Sequence, residues 1–272
     1  AVAEDIAPEL KSRLEIFHGD IADGRAVWEA AADCTTIYHL AALIGIPYSY
    51  VAPESYVDTN IHGTLNILQA AREFSTERVV CTSTSEVYGT AQFVPITEEH
   101  PLVGQSPYAA TKIGADQLAL SFHRSFGLPV AVARPFNTYG PRMRVNDGRA
   151  VPAFMSQALR HEDVTVFGDG SQTRSFTYIT DLVDGIIKLM LSSQNDPVNI
   201  GNPREMTMLE FAHEIIRATG AKSKVVFKPL PQDDPKQRKP DITLARKLLK
   251  WEPKVELADG LARTIAYFRR KV

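Results

Sequence analysis

Four short apolar runs, at 14–17, 36–40, 78–82 and 130–133, alternate along the first half of the chain with longer stretches, notably 57–74 and 107–126, whose apolar positions recur every three or four residues. Short unbroken runs suit strands buried on both faces, and the three-to-four spacing suits helices with one face inward. Strand, helix, strand, helix in that order predicts an α/β fold, a parallel sheet with helices on both faces. The second long helix carries its own end signals: Ser106 can cap its first amides, Pro107 fits its first turn and Gly127 follows its last.

Beyond residue 134 glycine and proline become frequent. Short strands are predicted at 164–167 and 197–200 and helices near 150–161, 181–192 and 207–218, which reads as a smaller lobe. The expected division is 1–134 and 135–272, with some rear segments returning to the main sheet. A parallel sheet that holds a dinucleotide normally opens with a strand and a Gly-x-Gly-x-x-Gly turn, so about 45–60 residues carrying them are expected upstream of this chain.

Composition narrows the class. The chain has 272 residues, 44% hydrophobic and 23% charged, with a formal charge of -2, which suits one large domain or a domain plus a lobe and gives no basic surplus for nucleic acid. No run approaches a membrane span and residues 1–19 lack a signal-peptide pattern, so a soluble, cytoplasmic protein is expected. Cys34 and Cys81 are too few and too far apart for a metal site.

The candidate chemistry lies near the predicted strand ends. Tyr108 and Lys112 stand four apart, on one helical face. A nearby ammonium favours a phenolate, so Lys112 is expected to lower the Tyr108 pKa and to hold ribose hydroxyls of a cofactor. Upstream, a strand ends in Cys81-Thr82-Ser83-Thr84-Ser85-Glu86-Val87-Tyr88-Gly89, where four hydroxyl residues can orient a sugar hydroxyl and the phenol, and Glu86 can move a proton. An ordinary polar turn is the alternative. After another strand, Arg134-Pro135-Phe136-Asn137 presents an amide to a polar ligand. Leu40-Ala41-Ala42 would let a flat cofactor approach the backbone, and Asp20 can accept from an adenine amino group or cap a turn.

These motifs, with Tyr38-His39-Leu40-Ala41-Ala42, Asn60-Ile61-His62-Gly63-Thr64, Gly168-Asp169-Gly170-Ser171-Gln172-Thr173-Arg174-Ser175-Phe176 and Arg238-Lys239-Pro240-Asp241-Ile242, resemble the extended short-chain dehydrogenase/reductase family of nucleotide-sugar epimerases, 4,6-dehydratases and decarboxylases. The resemblance covers essentially the whole chain. It implies a Rossmann-like sheet, NAD as cofactor, a UDP- or dTDP-linked sugar as substrate, and a homodimer through helices 57–74 and 107–126, whose apolar faces exceed what one sheet contact requires. By the resemblance Tyr108 and Lys112 are the catalytic pair, Thr84 supports the sugar 4-hydroxyl and the phenol, and Ser85 with Glu86 acts near C5 and C6. Asp20, Ile21, Leu40, Ala41, Ala42, Asn60, Thr82 and Pro135 fall on the cofactor side, with Tyr108 and Lys112. Asn137, Val166, Arg174 and Arg238, with Ser85 and Glu86, fall on the substrate side.

Every branch begins by oxidising the sugar at C4 and then diverges. The front half, with the 43–50 loop, resembles amino-sugar 4,6-dehydratases, for which Glu86 is the added acid/base. The rear half, with Asn146-Asp147-Gly148-Arg149, Asp234-Pro235 and Trp251-Glu252-Pro253, resembles UDP-glucuronate decarboxylases. Because bonds are made among front-half residues, the 4,6-dehydratase is the leading expectation. Decarboxylase, 4-epimerase and a non-catalytic sugar-nucleotide-binding relative are the alternatives.

Overall fold

The computed structural model describes residues 6–145, 148–230 and 237–272. Asn146, Asp147, Asp234, Pro235 and Lys236 lie outside the described residues. The front half contains helices α1 (Pro8–Lys11) and α2 (Gly24–Ala31), strand β1 (Thr36–His39), and helices α3 (Ile46–Val51) and α4 (Pro53–Tyr56). A π-helical stretch, Val57–His62, leads into α5 (Gly63–Glu73), followed by β2 (Arg78–Thr82), a 3₁₀ turn (Ser85–Tyr88), α6 (Pro107–Phe126) and β3 (Val130–Pro135). The rear half holds β4 (Thr138–Tyr139), α7 (Ala150–Leu159), β5 (Val164–Phe167), β6 (Thr173–Ser175), β7 (Thr177–Tyr178) and α8 (Ile179–Met190). It continues with β8 (Val198–Ile200), β9 (Glu205–Thr207), α9 (Met208–Thr219), β10 (Val225–Lys228), α10 (Thr243–Leu249) and α11 (Leu257–Phe268).

The main sheet is parallel, in the order β1-β2-β3-β8. Alternation along its strands decides which layer each side chain meets. Val79, Cys81, Val130 and Val132 face Leu68 of α5 and Ala119, Leu120 and Phe122 of α6. Val80, Ala131, Ala133, Val198 and Ile200 face α8, α10 and Trp251. The unbroken apolar runs therefore serve two faces at once. A second core, built on α7, α9, α11 and the paired strands β5 and β10, forms the rear lobe around Met155, Phe176 and Phe211.

The expected strand at 14–17 does not form. Ladder pairing requires a neighbouring backbone, and among the described residues none pairs with this segment. Ile16 and Phe17 are exposed.

The helical stretch at 57–74 is also divided. Thr64 Oγ1 donates to the Asn60 carbonyl at 2.7 Å, where the π-helical turns give way to α5. Most apolar residues of α5 and α6 turn inward, the outer face of α6 is small or polar at Ala110, Gln117, Ser121 and Arg124, and Phe126 at its end is exposed. Part of the apolar surplus expected on the 57–74 and 107–126 stretches stays exposed, at Val57 and Phe126. Among the described residues no helix is long and apolar enough to cross a membrane, and no cluster of His, Cys, Asp and Glu can hold a metal.

Candidate active site

The site forms at the carboxyl ends of β2 and β3, where side chains leave a parallel sheet without a partner strand. Ser106 caps α6 by accepting from the Ala109 amide at 3.1 Å, which places Tyr108 in the first turn. Opposite it, Thr84 caps the 3₁₀ turn by accepting from the Glu86 amide at 3.2 Å. Gly89 closes that turn at φ 62°, where a Cβ would meet the Val103 carbonyl oxygen at 2.7 Å. The turn and the helix thereby bring Thr84 and Tyr108 into a side-chain hydrogen bond.

The expected effect of Lys112 on the phenol is not found. Burial pushes Tyr108 up to about 12, the Thr84 hydrogen bond opposes this, Glu86 reinforces it, and Arg238 draws it down. Lys112 instead turns its ammonium to the Thr82 carbonyl, 2.8 Å away, where its charged neighbour is Asp116, one turn further along α6. A shared helical face put the two side chains in line, but the strand-end carbonyl drew one of them off.

Glu86 and Arg238, expected to meet the sugar and its phosphates, form a bidentate ion pair with each other. Arg238 Nη2 donates to Glu86 Oε2 at 2.9 Å, and Nη1 donates to Oε1. Arg238 is only 2% exposed and its Nε has no hydrogen-bond partner among the described residues. Asn137 lies at the same strand ends with its Nδ2 buried and, among the described residues, unpartnered, as a ligand-facing amide should be. Ser85 is buried in the 3₁₀ turn, and Pro135 is half-buried at the end of β3. Arg174, on β6, donates to the Thr173 carbonyl at 2.8 Å. The Val166 side chain belongs to the rear-lobe core, so the contact expected of it can come only from its backbone.

On the cofactor side Thr82 Oγ1 is buried and, among the described residues, unpartnered, beside the carbonyl that Lys112 binds, a setting that fits ribose hydroxyls. Leu40 and Ala41 are exposed after β1, and Ala42 is half-buried. Asn60 uses its whole amide to clamp the loop that follows. Its Oδ1 accepts from the Leu43 amide at 2.9 Å, and Nδ2 donates to the Leu43 carbonyl and to Thr111 Oγ1 at 3.0 and 3.1 Å. Asp20 accepts from the Ala22 amide at 2.9 Å, as a turn cap, and the Ile21 carbonyl accepts from Asn66.

Several site residues lay beyond the sequence reading. Tyr56 donates to the Gly45 carbonyl at 2.5 Å and sets its ring edge-on to Tyr108, 6.2 Å between centroids. Asp116 had a signal, the same four-residue step that joins Tyr108 to Lys112.

Comparison with known proteins identifies relatives of the chain as a whole. The chain matches the GDP-mannose 4,6 dehydratase family over residues 1–264. It is 43% identical over 265 residues to UDP-glucuronic acid decarboxylase 1 of Arabidopsis thaliana, covering 96% of this chain and 60% of that relative. The dTDP-glucose 4,6-dehydratase DesIV of Streptomyces venezuelae, solved with NAD bound, superposes with a TM-score of 0.90 at 31% identity, covering 98% and 81% of the two chains. The UDP-glucuronic acid 4-epimerase of Bacillus cereus, solved with UDP-glucuronic acid and NAD, gives 0.90 and 31%, covering 97% and 84%. The chain therefore belongs to the extended short-chain dehydrogenase/reductase family of NAD-dependent nucleotide-sugar epimerases, 4,6-dehydratases and decarboxylases.

Proposed function

We propose that the protein is an NAD-dependent enzyme that oxidises a nucleotide sugar at C4, and that its substrate is UDP-glucuronate, which it decarboxylates. The observation that carries this reading is the buried Arg238 guanidinium, whose fork Glu86 now fills and which a substrate carboxylate would engage by taking the place of Glu86. A sugar carrying a carboxylate at C6 brings a charge that costs several kcal/mol to bury unless a cation receives it. A planar guanidinium is the side chain best shaped for that task. Sequence likeness points the same way, since the chain is 41–44% identical to several UDP-glucuronic acid decarboxylases. This reverses the order expected from the front-half motifs, which placed the dehydratase first.

In this reading Tyr108, hydrogen-bonded to Thr84, takes the proton of the sugar 4-hydroxyl. NAD, when bound, supplies the hydride acceptor and donor for C4, and Thr82 with Lys112 would hold its ribose. The C6 carboxylate is β to the new ketone and leaves as carbon dioxide, its bonding electrons passing to the C4 oxygen as an enolate. Tyr108 can hold that oxygen as a hydrogen-bond donor until C5 is protonated. Arg238 and Asn137 bind anionic and polar parts of the substrate.

Incubating the protein with NAD and each of UDP-glucuronate, UDP-N-acetylglucosamine, dTDP-glucose and UDP-glucose, and weighing the products, tests the reading. Loss of carbon dioxide from UDP-glucuronate is the expected result. Loss of water from a neutral sugar would transfer the assignment to a dehydratase with Glu86 as acid/base, and inverted stereochemistry at unchanged mass would transfer it to an epimerase. No product from any of the four would leave a non-catalytic relative. A homodimer through helices 57–74 and 107–126 is part of the proposal, because Val57 and Phe126 stay exposed on them; light scattering should give about twice 30.1 kDa.

The chain spans about three fifths of the length of the Arabidopsis thaliana relative.

A further inference from the structure

A buried run of hydrogen bonds joins the Lys112 helix to the segment that carries Arg238. Asp116, on α6, accepts from Arg134 Nε at 3.1 Å. Arg134 Nη1 donates to the Tyr88 hydroxyl at 3.1 Å, and that hydroxyl donates to Asn199 Oδ1 at 2.6 Å. Asn199 Nδ2 then donates to the carbonyls of Ile96 and Asp241, at 3.0 and 3.4 Å. Ile96 and the rear segment are laced together directly: the Ile96 amide donates to the Lys239 carbonyl at 2.7 Å, and the Asp241 amide donates to the Ile96 carbonyl at 2.8 Å.

The four side chains of this run come from α6, β3, the 3₁₀ turn and β8, and each is 2% exposed or less. Polar groups so deeply buried must keep their partners, so the network tolerates one arrangement. Tyr88 is its node. It closes the same turn that carries Glu86, and through Asn199 its hydroxyl grips the strand partner of the residues that follow Arg238. Both members of the Glu86–Arg238 pair are thus located with respect to one side chain.

We propose that Tyr88 and Asn199 are positioning residues, which fix Arg238 opposite Glu86 and register that pair against the helix bearing Tyr108 and Lys112. The catalytic consequence rests on the function proposed above, whereas the structural linkage does not. The test uses Tyr88→Phe, which keeps the ring and removes the hydroxyl, and Asn199→Ala, which removes both donors to the Ile96 and Asp241 carbonyls. Tyr139→Phe is the control. It makes the same chemical change on an equally buried ring whose hydroxyl donates to the Leu257 carbonyl, in the rear-lobe core.

Hydrogen exchange at the Ile96 and Asp241 amides should quicken about tenfold in Tyr88→Phe and Asn199→Ala and stay within about twofold in Tyr139→Phe. With UDP-glucuronate the KM should rise about tenfold in the first two while kcat changes about threefold or less, since substrate binding is what Arg238 is placed to serve. Unchanged exchange at those amides overturns the linkage. Faster exchange with unaltered KM overturns the positioning role, as does an equal loss in Tyr139→Phe. If the wild-type protein converts no nucleotide sugar, the function proposed above fails, and the exchange measurement still decides the linkage. Should Asn199→Ala not fold, Tyr88→Phe carries both readouts.

Discussion

Tyr108 shows how a residue with the right neighbours can still carry an unexpected pKa. Its phenol sits against Thr84, with Glu86 and Arg238 as the charges that act on it, and burial dominates. A group held near 12 is protonated throughout the neutral range, so as a general base it gains about tenfold in active form per pH unit. The pH profile of kcat/KM should therefore rise across that range in the wild type. Glu86→Gln removes a negative charge that disfavours the phenolate, which lowers the Tyr108 pKa and moves the rising limb to lower pH. Tyr108→Phe should cost about 10² to 10⁴ in kcat without loss of fold, measured by steady-state kinetics beside circular dichroism. A limb that stays in place in Glu86→Gln removes Glu86 as an influence on the phenol. What was legible at this scale was local: Thr84, Glu86 and Tyr108 follow from a strand end and a capped helix close together in the chain. The direction of Lys112 was not legible, because a carbonyl thirty positions away decides it. Nor was the Glu86–Arg238 pair, which spans 152 positions and depends on how the rear segment returns.

At the scale of elements, β1 and α5 are joined by a buried polar contact that makes their packing sensitive to acid. His39 Nε2 lies 2.9 Å from Thr64 Oγ1, and burial, reinforced by the Lys112 ammonium, lowers its pKa to about 4. The folded protein thus holds this imidazole neutral where the unfolded chain, with an ordinary value near 6.5, binds a proton. Between those two values the unfolded state binds more protons, so stability falls as pH drops through the window and levels off below it. From pH 7 to pH 5 the contribution amounts to about 2 kcal/mol. Urea unfolding of the wild type and of His39→Gln at the two pH values should show that difference in the wild type and its near absence in the variant. The elements themselves were largely legible, since β2, β5 and α6 fall where the apolar pattern put them. The pattern failed where pairing mattered more than polarity. Residues 14–17 have the composition of a strand and no ladder to join, and the π-helical turns at Val57–His62 carry ordinary helical spacing.

Across the whole molecule, the rear half is wound into the front. Strand β8 completes the main sheet beside β3, α8 and α10 cover one face of it, and Trp251 seals that layer, 1% exposed, with its indole N–H donating to the Asp181 carbonyl at 2.9 Å. Asp181 in turn accepts from the Lys254 and Val255 amides, at 3.0 and 2.9 Å, which fastens the chain as it leaves for α11. A substrate lobe hung on the end of a finished cofactor domain would unfold separately from it, but a lobe that donates a strand and two helices to the sheet should not. Trp251→Ala, which empties a large buried site and removes the indole donor, is expected to cost about 3–5 kcal/mol, and the urea midpoint should drop by about 1–2 M. The variant also leaves Trp28, packed edge-on against Phe74 at the far side of the front half, as its one tryptophan. If the two halves form one cooperative unit, Trp28 fluorescence will report the same lowered midpoint as far-ultraviolet circular dichroism. A Trp28 transition that stays at the wild-type midpoint while the circular dichroism signal falls early would show instead that the front half stands alone, and that the site between them is assembled from separable parts.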